Sequence, residues 1–180
     1  ARRRCGNVAT VEDGTVATYI PELGRADPAA FAISIATVDG RVYSVGDAGL
    51  GVTIQSVSKP FVYALALERR LVTASTKLTD APLELAAGPG LYAPQNYDGG
   101  FKGDVTVRTA LASSLNVPAV QVAAMVGADD LFARLQRAGL ALTESAGFDG
   151  HALALGSAEV TLADLANAYR LLANGGHWSA

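Results

Sequence analysis

A serine followed three positions later by a lysine, Ser56-Val57-Ser58-Lys59, is the part of this 180-residue sequence best suited to chemistry. A serine hydroxyl attacks a carbonyl only when something takes its proton. On a helix, a lysine at i+3 lies on the same face one turn away. To act as that base the amine must be neutral, so burial or a neighbouring cation has to bring its pKa down toward ~7–8. Val57, Pro60 and Phe61 supply apolar surroundings. A helix start also turns unpaired backbone N–H groups and the positive end of the dipole toward the serine oxygen, which favours a developing oxyanion. Spacing alone is weak, because ten serines and three lysines produce one such pair by chance in about one chain of six. The competing reading is a surface helix start with Ser56 as N-cap and Lys59 in solvent.

Composition narrows the setting. Half the residues are hydrophobic and 17% are charged, as in a folded chain. The length suits a single domain, residues 1–180. Net charge is −3, and the one dense basic cluster, Arg2-Arg3-Arg4, sits at the N-terminus and reads as a solvated tail, so no nucleic-acid partner is expected. Cys5 is the only cysteine, and His151 and His177 are far apart in sequence. No disulfide, metal site or cofactor is therefore expected. Apolar runs such as Phe61–Leu67 fall well short of the ~20 residues that cross a bilayer, and Arg2–Cys5 leads into no signal-like region. The chain as written is expected in the cytoplasm.

Several elements must position the serine and lysine. Phe31–Thr37 and Arg41–Val45 are strand-like, and Asp39-Gly40 between them signals a hairpin turn. A helix is expected from Ser56 to about Arg70, with Phe61, Ala64, Leu65 and Leu67 recurring near helical spacing and Pro60 tolerated in the first turn. Residues 72–104, dense in Pro, Gly, Thr and Asp, read as an irregular excursion or linker. Further helices are expected at about 106–113, 118–126, 128–138 and 162–173. The last is capped by Thr161 and Asp164, with Leu162, Leu165, Tyr169 and Leu172 in one stripe. The layout is α+β.

From about Gly14 to Leu67 the sequence resembles a bacterial serine-dependent glutaminase. The strings that carry this are Gly14-Thr15-Val16-Ala17-Thr18-Tyr19-Ile20-Pro21-Glu22-Leu23, Thr37-Val38-Asp39-Gly40 with Tyr43 and Gly46-Asp47, and Ile54-Gln55-Ser56-Val57-Ser58-Lys59. The resemblance implies Ser56 as the acylated nucleophile, Lys59 as its base and Tyr19 as a substrate-pocket residue; an ordinary packed aromatic is the alternative for Tyr19. From about Lys59 to Gly176 the sequence resembles instead the transpeptidase domain of a class A, 1C-type penicillin-binding protein. Here the strings are Lys59-Pro60-Phe61-Val62-Tyr63-Ala64-Leu65-Ala66-Leu67, Leu91-Tyr92-Ala93-Pro94-Gln95-Asn96-Tyr97-Asp98, Thr109-Ala110-Leu111-Ala112-Ser113-Ser114-Leu115-Asn116-Val117-Pro118 and Ala154-Leu155-Gly156-Ser157-Ala158-Glu159-Val160-Thr161. That family makes Ser114-Leu115-Asn116 a second active-site motif, Ser114 relaying protons and Asn116 binding the substrate amide; a helix-terminating Ser/Asn loop is the alternative.

The two resemblances meet in Lys59–Leu67, and both families share the serine β-lactamase/transpeptidase-like fold, so the chain reads as a hybrid joined at a common landmark by recombination, engineering or design. The third motif of penicillin-recognising enzymes, a Lys-Thr-Gly strand, has no counterpart, since no lysine follows Lys102 and Lys102-Gly103-Asp104 lacks the threonine. A partial fold is the expectation, with the hairpin edges open to self-association. Three functions follow. The first is a transpeptidase-type acyl-enzyme on the D-Ala-D-Ala end of peptidoglycan stem peptides, open to β-lactams and extracytoplasmic, with turnover in doubt. The second is a glutaminase through the same Ser56, and the third a non-catalytic hybrid scaffold.

Overall fold

The computed structural model describes residues 15–16, 23–87, 90–142 and 151–176. It falls into two compact units, Ala1–Gly51 with Thr161–Ala180, and Val52–Val160. In the first, a 3₁₀ turn at Leu23–Arg25 precedes strands β1 (Ala32–Ala36) and β2 (Val42–Gly46). These form the expected antiparallel hairpin, with Ile33 opposite Val45 and Ile35 opposite Tyr43. Its turn is closed by Thr37 N–H donating to Arg41 O (2.9 Å) and Gly40 N–H to Thr37 O (3.0 Å). Gly40 sits at φ 97°, where a side chain would be strained.

The second unit carries the larger core. After β3 (Gly51–Thr53), the chain makes a 3₁₀ turn at Gln55–Ser58 and then helix α1 (Lys59–Glu68). Helix α1 buries Phe61, Val62, Tyr63, Leu65 and Ala66; Leu67, expected on the apolar stripe, is exposed. The supposed irregular excursion is built instead from short strands: β4 (Lys77–Asp80), β5 (Leu85–Ala87), β6 (Gly90–Tyr92) and β7 (Gly103–Thr106). β5 and β6 form a small hairpin, and β4 pairs with β7 from Lys77 opposite Thr106 to Asp80 opposite Gly103.

Thr106 caps α2 (Val107–Ala112) by accepting from Thr109 N–H. Helix α3 (Asn116–Val126) has Val117, Ala119, Val120 and Val122 fully enclosed, the pattern of a helix that is apolar all round and therefore central. It packs on α1. Helix α4 (Ala128–Arg137) is amphipathic, with Leu131 and Leu135 inward, and Arg134 reaches Glu68 while Arg69 reaches Asp130 (2.6 Å), tying it to the end of α1. A 3₁₀ turn, Ala152–Leu155, leads to β8 (Glu159–Thr161), which pairs with β3.

Helix α5 (Leu162–Ala173) belongs to the first unit and packs across β1. The Thr161 cap is present, with Asp164 N–H donating to Thr161 Oγ1 (3.1 Å) and Thr161 Oγ1 to Asp164 Oδ2 (2.7 Å). The stripe is not as expected, because Ala168 is the buried apolar residue and Leu172 is exposed. The half-buried face of β1 is Ala32, Ser34 and Ala36, and small residues on a strand let a helix approach closest at its own small residue. The bulky side chains Ile33, Ile35, Tyr43 and Val45 point the other way and are exposed.

Candidate active site

Ser56 lies on the 3₁₀ turn and not within α1, which begins at Lys59. Residues three apart eclipse in a 3₁₀ turn, so Ser56 and Lys59 still share a face. The turn starts from Gln55, at φ 54°, a left-handed value uncommon outside glycine. Three contacts hold it there. Gln55 N–H donates to Gly156 O (3.0 Å). The Ser58 hydroxyl, 1% exposed, shares its one proton between Gln55 O (2.9 Å) and Ala154 O (2.7 Å). Gly156, at φ 77°, is packed so tightly that a Cβ would lie 2.2 Å from Gln55 N and O. Ser56 itself is exposed.

Lys59 is 1% exposed, and among the described residues its ammonium meets the loop that leads into α3. Nζ donates to Ser114 O (2.6 Å), Ser114 Oγ (3.0 Å) and Asn116 Oδ1 (2.6 Å). That loop is a tight link between α2 and α3: Ser114 adopts φ 51°, and Leu115 N–H returns to Ala110 O (3.0 Å). Asn116 opens α3, with its Nδ2 donating to Gln95 O (2.7 Å) and its backbone N–H to Asn96 Oδ1 (2.8 Å). Burial brings the Lys59 amine down to about 8. About a tenth of such amines are neutral at pH 7, although three oxygen acceptors favour the charged form.

The structure thus brings Lys59, Ser114 and Asn116 together in the second unit, with Ser56 on the turn three residues before the lysine. Tyr19 lies outside the described residues. Sequence reasoning passes over Ser58, Asn96 and Gly156 as site residues, since each acts through a contact distant in sequence; the one local signal was the position of Ser58 next to the lysine. A separate apolar cavity of about 380 Å³, lined by Tyr63, Leu67, Val107, Arg108 and Leu111 among others, contains none of the five expected residues. Among the described residues no cluster of His, Cys, Asp or Glu could hold a metal ion, and no helix is long and apolar enough to cross a membrane.

An exposed hydroxyl three residues before a buried amine, and a second hydroxyl bonded to that amine, are groups that serine acyl transfer could use. Residues 53–180 match the penicillin-binding protein transpeptidase domain. The chain belongs to that family. Residues 14–82 match the glutaminase family, so the two matches overlap across 53–82, which contains the whole Ser56–Lys59 motif. The transpeptidase-like part is 38% identical over 123 residues to penicillin-binding protein 1A of Rickettsia felis, and 41% identical over 122 residues to penicillin-binding protein 1C of Escherichia coli. Each alignment takes 67% of this chain and 15% of the relative. The glutaminase-like part is 63% identical over 65 residues to glutaminase 1 of Bradyrhizobium diazoefficiens, 36% of this chain and 11% of that protein.

Among solved structures, penicillin-binding protein 1A of Haemophilus influenzae superposes with a TM-score of 0.68 at 29% identity, over 78% of this chain and 22% of its own. Penicillin-binding protein A of Mycobacterium tuberculosis, solved as a ceftriaxone acyl-enzyme complex, gives 0.57 at 26% over 70% and 32%. The chain is a hybrid of a glutaminase-like segment and a penicillin-binding transpeptidase segment, on a mixed helix and sheet fold of the transpeptidase kind.

Proposed function

We propose that this chain carries a serine acyl-enzyme centre of the penicillin-binding transpeptidase type, directed at the D-Ala-D-Ala end of peptidoglycan stem peptides and open to β-lactams. The observation that carries the reading is the buried Lys59 amine held on Ser114 Oγ and Asn116 Oδ1. In its neutral form Lys59 takes the Ser56 proton as Oγ bonds to the substrate carbonyl carbon. Ser114 passes a proton on to the departing amine, or to the ring nitrogen of a β-lactam, and Asn116 orients the substrate amide. The positive end of the α1 dipole, at Lys59 next to the Gln55–Ser58 turn, favours the developing oxyanion. A substrate of this class places the centre outside the cytoplasmic membrane. The test is incubation with a fluorescent penicillin followed by peptide mass spectrometry: one adduct on Ser56, lost in Ser56→Ala, is expected, and an unlabelled wild-type chain overturns the reading.

A second reading is favoured by the 63% identity to a glutaminase across the segment that ends beyond Lys59. In it the same Ser56 is acylated by glutamine and releases ammonia, with Tyr19 in the substrate pocket. Ammonia release that disappears in Ser56→Ala selects it, while a cooperatively folded chain silent in both assays selects a non-catalytic scaffold. The exposed hairpin face of Ile33, Ile35, Tyr43 and Val45 adds self-association to either reading. Light scattering should give a mass that rises with concentration and falls back to one chain in Ile35→Lys; a monomer throughout removes it.

A further inference from the structure

One buried carboxylate takes no part in the acyl-transfer steps. Asp80, the last residue of β4, is 0% exposed. Among the described residues no cation forms an ion pair with it, and the ammonium of Lys102 pairs with Asp98 instead (2.7 Å). Its oxygens are filled by N–H donors: Asn96 Nδ2 lies 2.9 Å from Oδ1 and 2.8 Å from Oδ2, and Lys102 N–H donates to Oδ2 at 2.8 Å. A buried charge satisfied in this way is fixed in place, since a carboxylate can only accept.

This fixes Asn96 as well. Its Nδ2 faces Asp80 and Gly100 O (2.9 Å), all acceptors, so its Oδ1 has to point the other way. There it accepts from Asn116 N–H at 2.8 Å and from Val117 N–H at 3.4 Å, the first two residues of α3. Asn116 is the residue whose Oδ1 holds Lys59. A chain of contacts therefore runs from Asp80 through Asn96 and Asn116 to the amine, and its direction is set by the one group in it that cannot donate.

We infer that Asp80 and Asn96 are positioning residues for the acyl-transfer centre, locking the start of α3 so that Asn116 meets Lys59. The inference rests on the acyl-enzyme reading for its catalytic consequence. Asp80→Asn is nearly isosteric, but it sets an amide NH₂ against donors, and Asn96 is expected to turn. The first measurement is labelling by a fluorescent penicillin over time. The expected result is a rate constant at least tenfold lower with the final stoichiometry still one label per chain. A merely structural residue would reduce the labelled fraction and leave the rate of the folded remainder alone, and that outcome overturns the inference.

The second measurement is amide hydrogen exchange, which needs no activity. Asn116 and Val117 should exchange at least tenfold faster in Asp80→Asn, while Ala123 in the middle of the same helix is unchanged. Equal rates at Asn116, or an equal rise along all of α3, overturn the inference. If the wild-type chain takes no label, the acyl-enzyme reading falls, and the anchor itself stands or falls on exchange. Asn96→Ser can still meet Asp80 but cannot reach α3, and it serves for both measurements should Asp80→Asn fail to fold.

Discussion

Gly156 and Gln55 approach so closely that a Cβ on the glycine would sit 2.2 Å from both the nitrogen and the oxygen of Gln55. Gln55 lies where the glutaminase and transpeptidase matches overlap and Gly156 lies in the transpeptidase match alone, so this contact ties the overlap region to the transpeptidase part next to Ser56. Gly156→Ala meets backbone, which cannot swing aside as a side chain can. It also places alanine at φ 77°, a left-handed cost of roughly 1–2 kcal/mol before any clash. For a domain of this length that is a fall in Tm of at least about 2–4 °C. Because the Gln55 turn must shift, labelling of Ser56 should slow beyond what unfolding explains. Calorimetry and labelling kinetics at a temperature where the variant is folded check both; unchanged values in the two would mean that the contact is not closed in solution.

Ser58→Ala tests the same turn from the other side. The hydroxyl is buried and serves two backbone carbonyls, Gln55 O and Ala154 O. Removing it takes away the one proton the two carbonyls share, which costs roughly 1–3 kcal/mol when the groups are buried. Urea denaturation should show the midpoint falling with the slope unchanged. A variant as stable as wild type would mean that the two carbonyls find other donors.

How much of this was legible in the sequence depends on the range of the contact. The Asp39-Gly40 turn and the Thr161 cap are local, and each sits where the residues put it. Family strings, and not periodicity, brought Ser114 and Asn116 into consideration before their contact with Lys59 was seen. The region from 72 to 104 was opaque because its strands are three or four residues long. The pairing of β4 with β7 also joins positions 29 apart at its outer end, Lys77 with Thr106. No alternation survives in so few residues among Pro and Gly. The placement of Ser56 on a 3₁₀ turn follows from Gln55 being left-handed, and that is imposed from Ala154 and Gly156, about a hundred residues away. The bulky hairpin face points outward for a related reason, since α5 selects the small side of β1.

Tyr63 offers a prediction of the opposite sign. Its side chain is 1% exposed and its hydroxyl meets no hydrogen-bond partner among the described residues. Burial first, and the Asp80 charge second, push the phenol well above its ordinary range. A buried hydroxyl without a partner is unfavourable, so Tyr63→Phe should stabilise the fold by about 1 kcal/mol. That corresponds to a rise in Tm of about 2–4 °C. A fall in Tm by calorimetry would show that the hydroxyl is satisfied in solution.

Lys59 makes both activity and stability depend on pH, and the two can be separated. Burial lowers the amine from 10.5 to about 8. The unfolded chain therefore holds this proton more tightly than the folded one between those values, and stability rises with pH across that window. Below about 8 both states are protonated and the contribution is constant; above 10.5 both are neutral and it is constant again. The difference in unfolding free energy between wild type and Lys59→Met cancels the other titrating groups. It should move in favour of wild type as pH goes from 8 to 10.5 and be flat on either side. Labelling of Ser56 needs the neutral amine, so its rate should climb with pH to a plateau above about 8, and Lys59→Met should lose it at every pH. A labelling rate independent of pH between 6 and 9 would mean that Lys59 does not take the serine proton, even if the stability difference titrates as described.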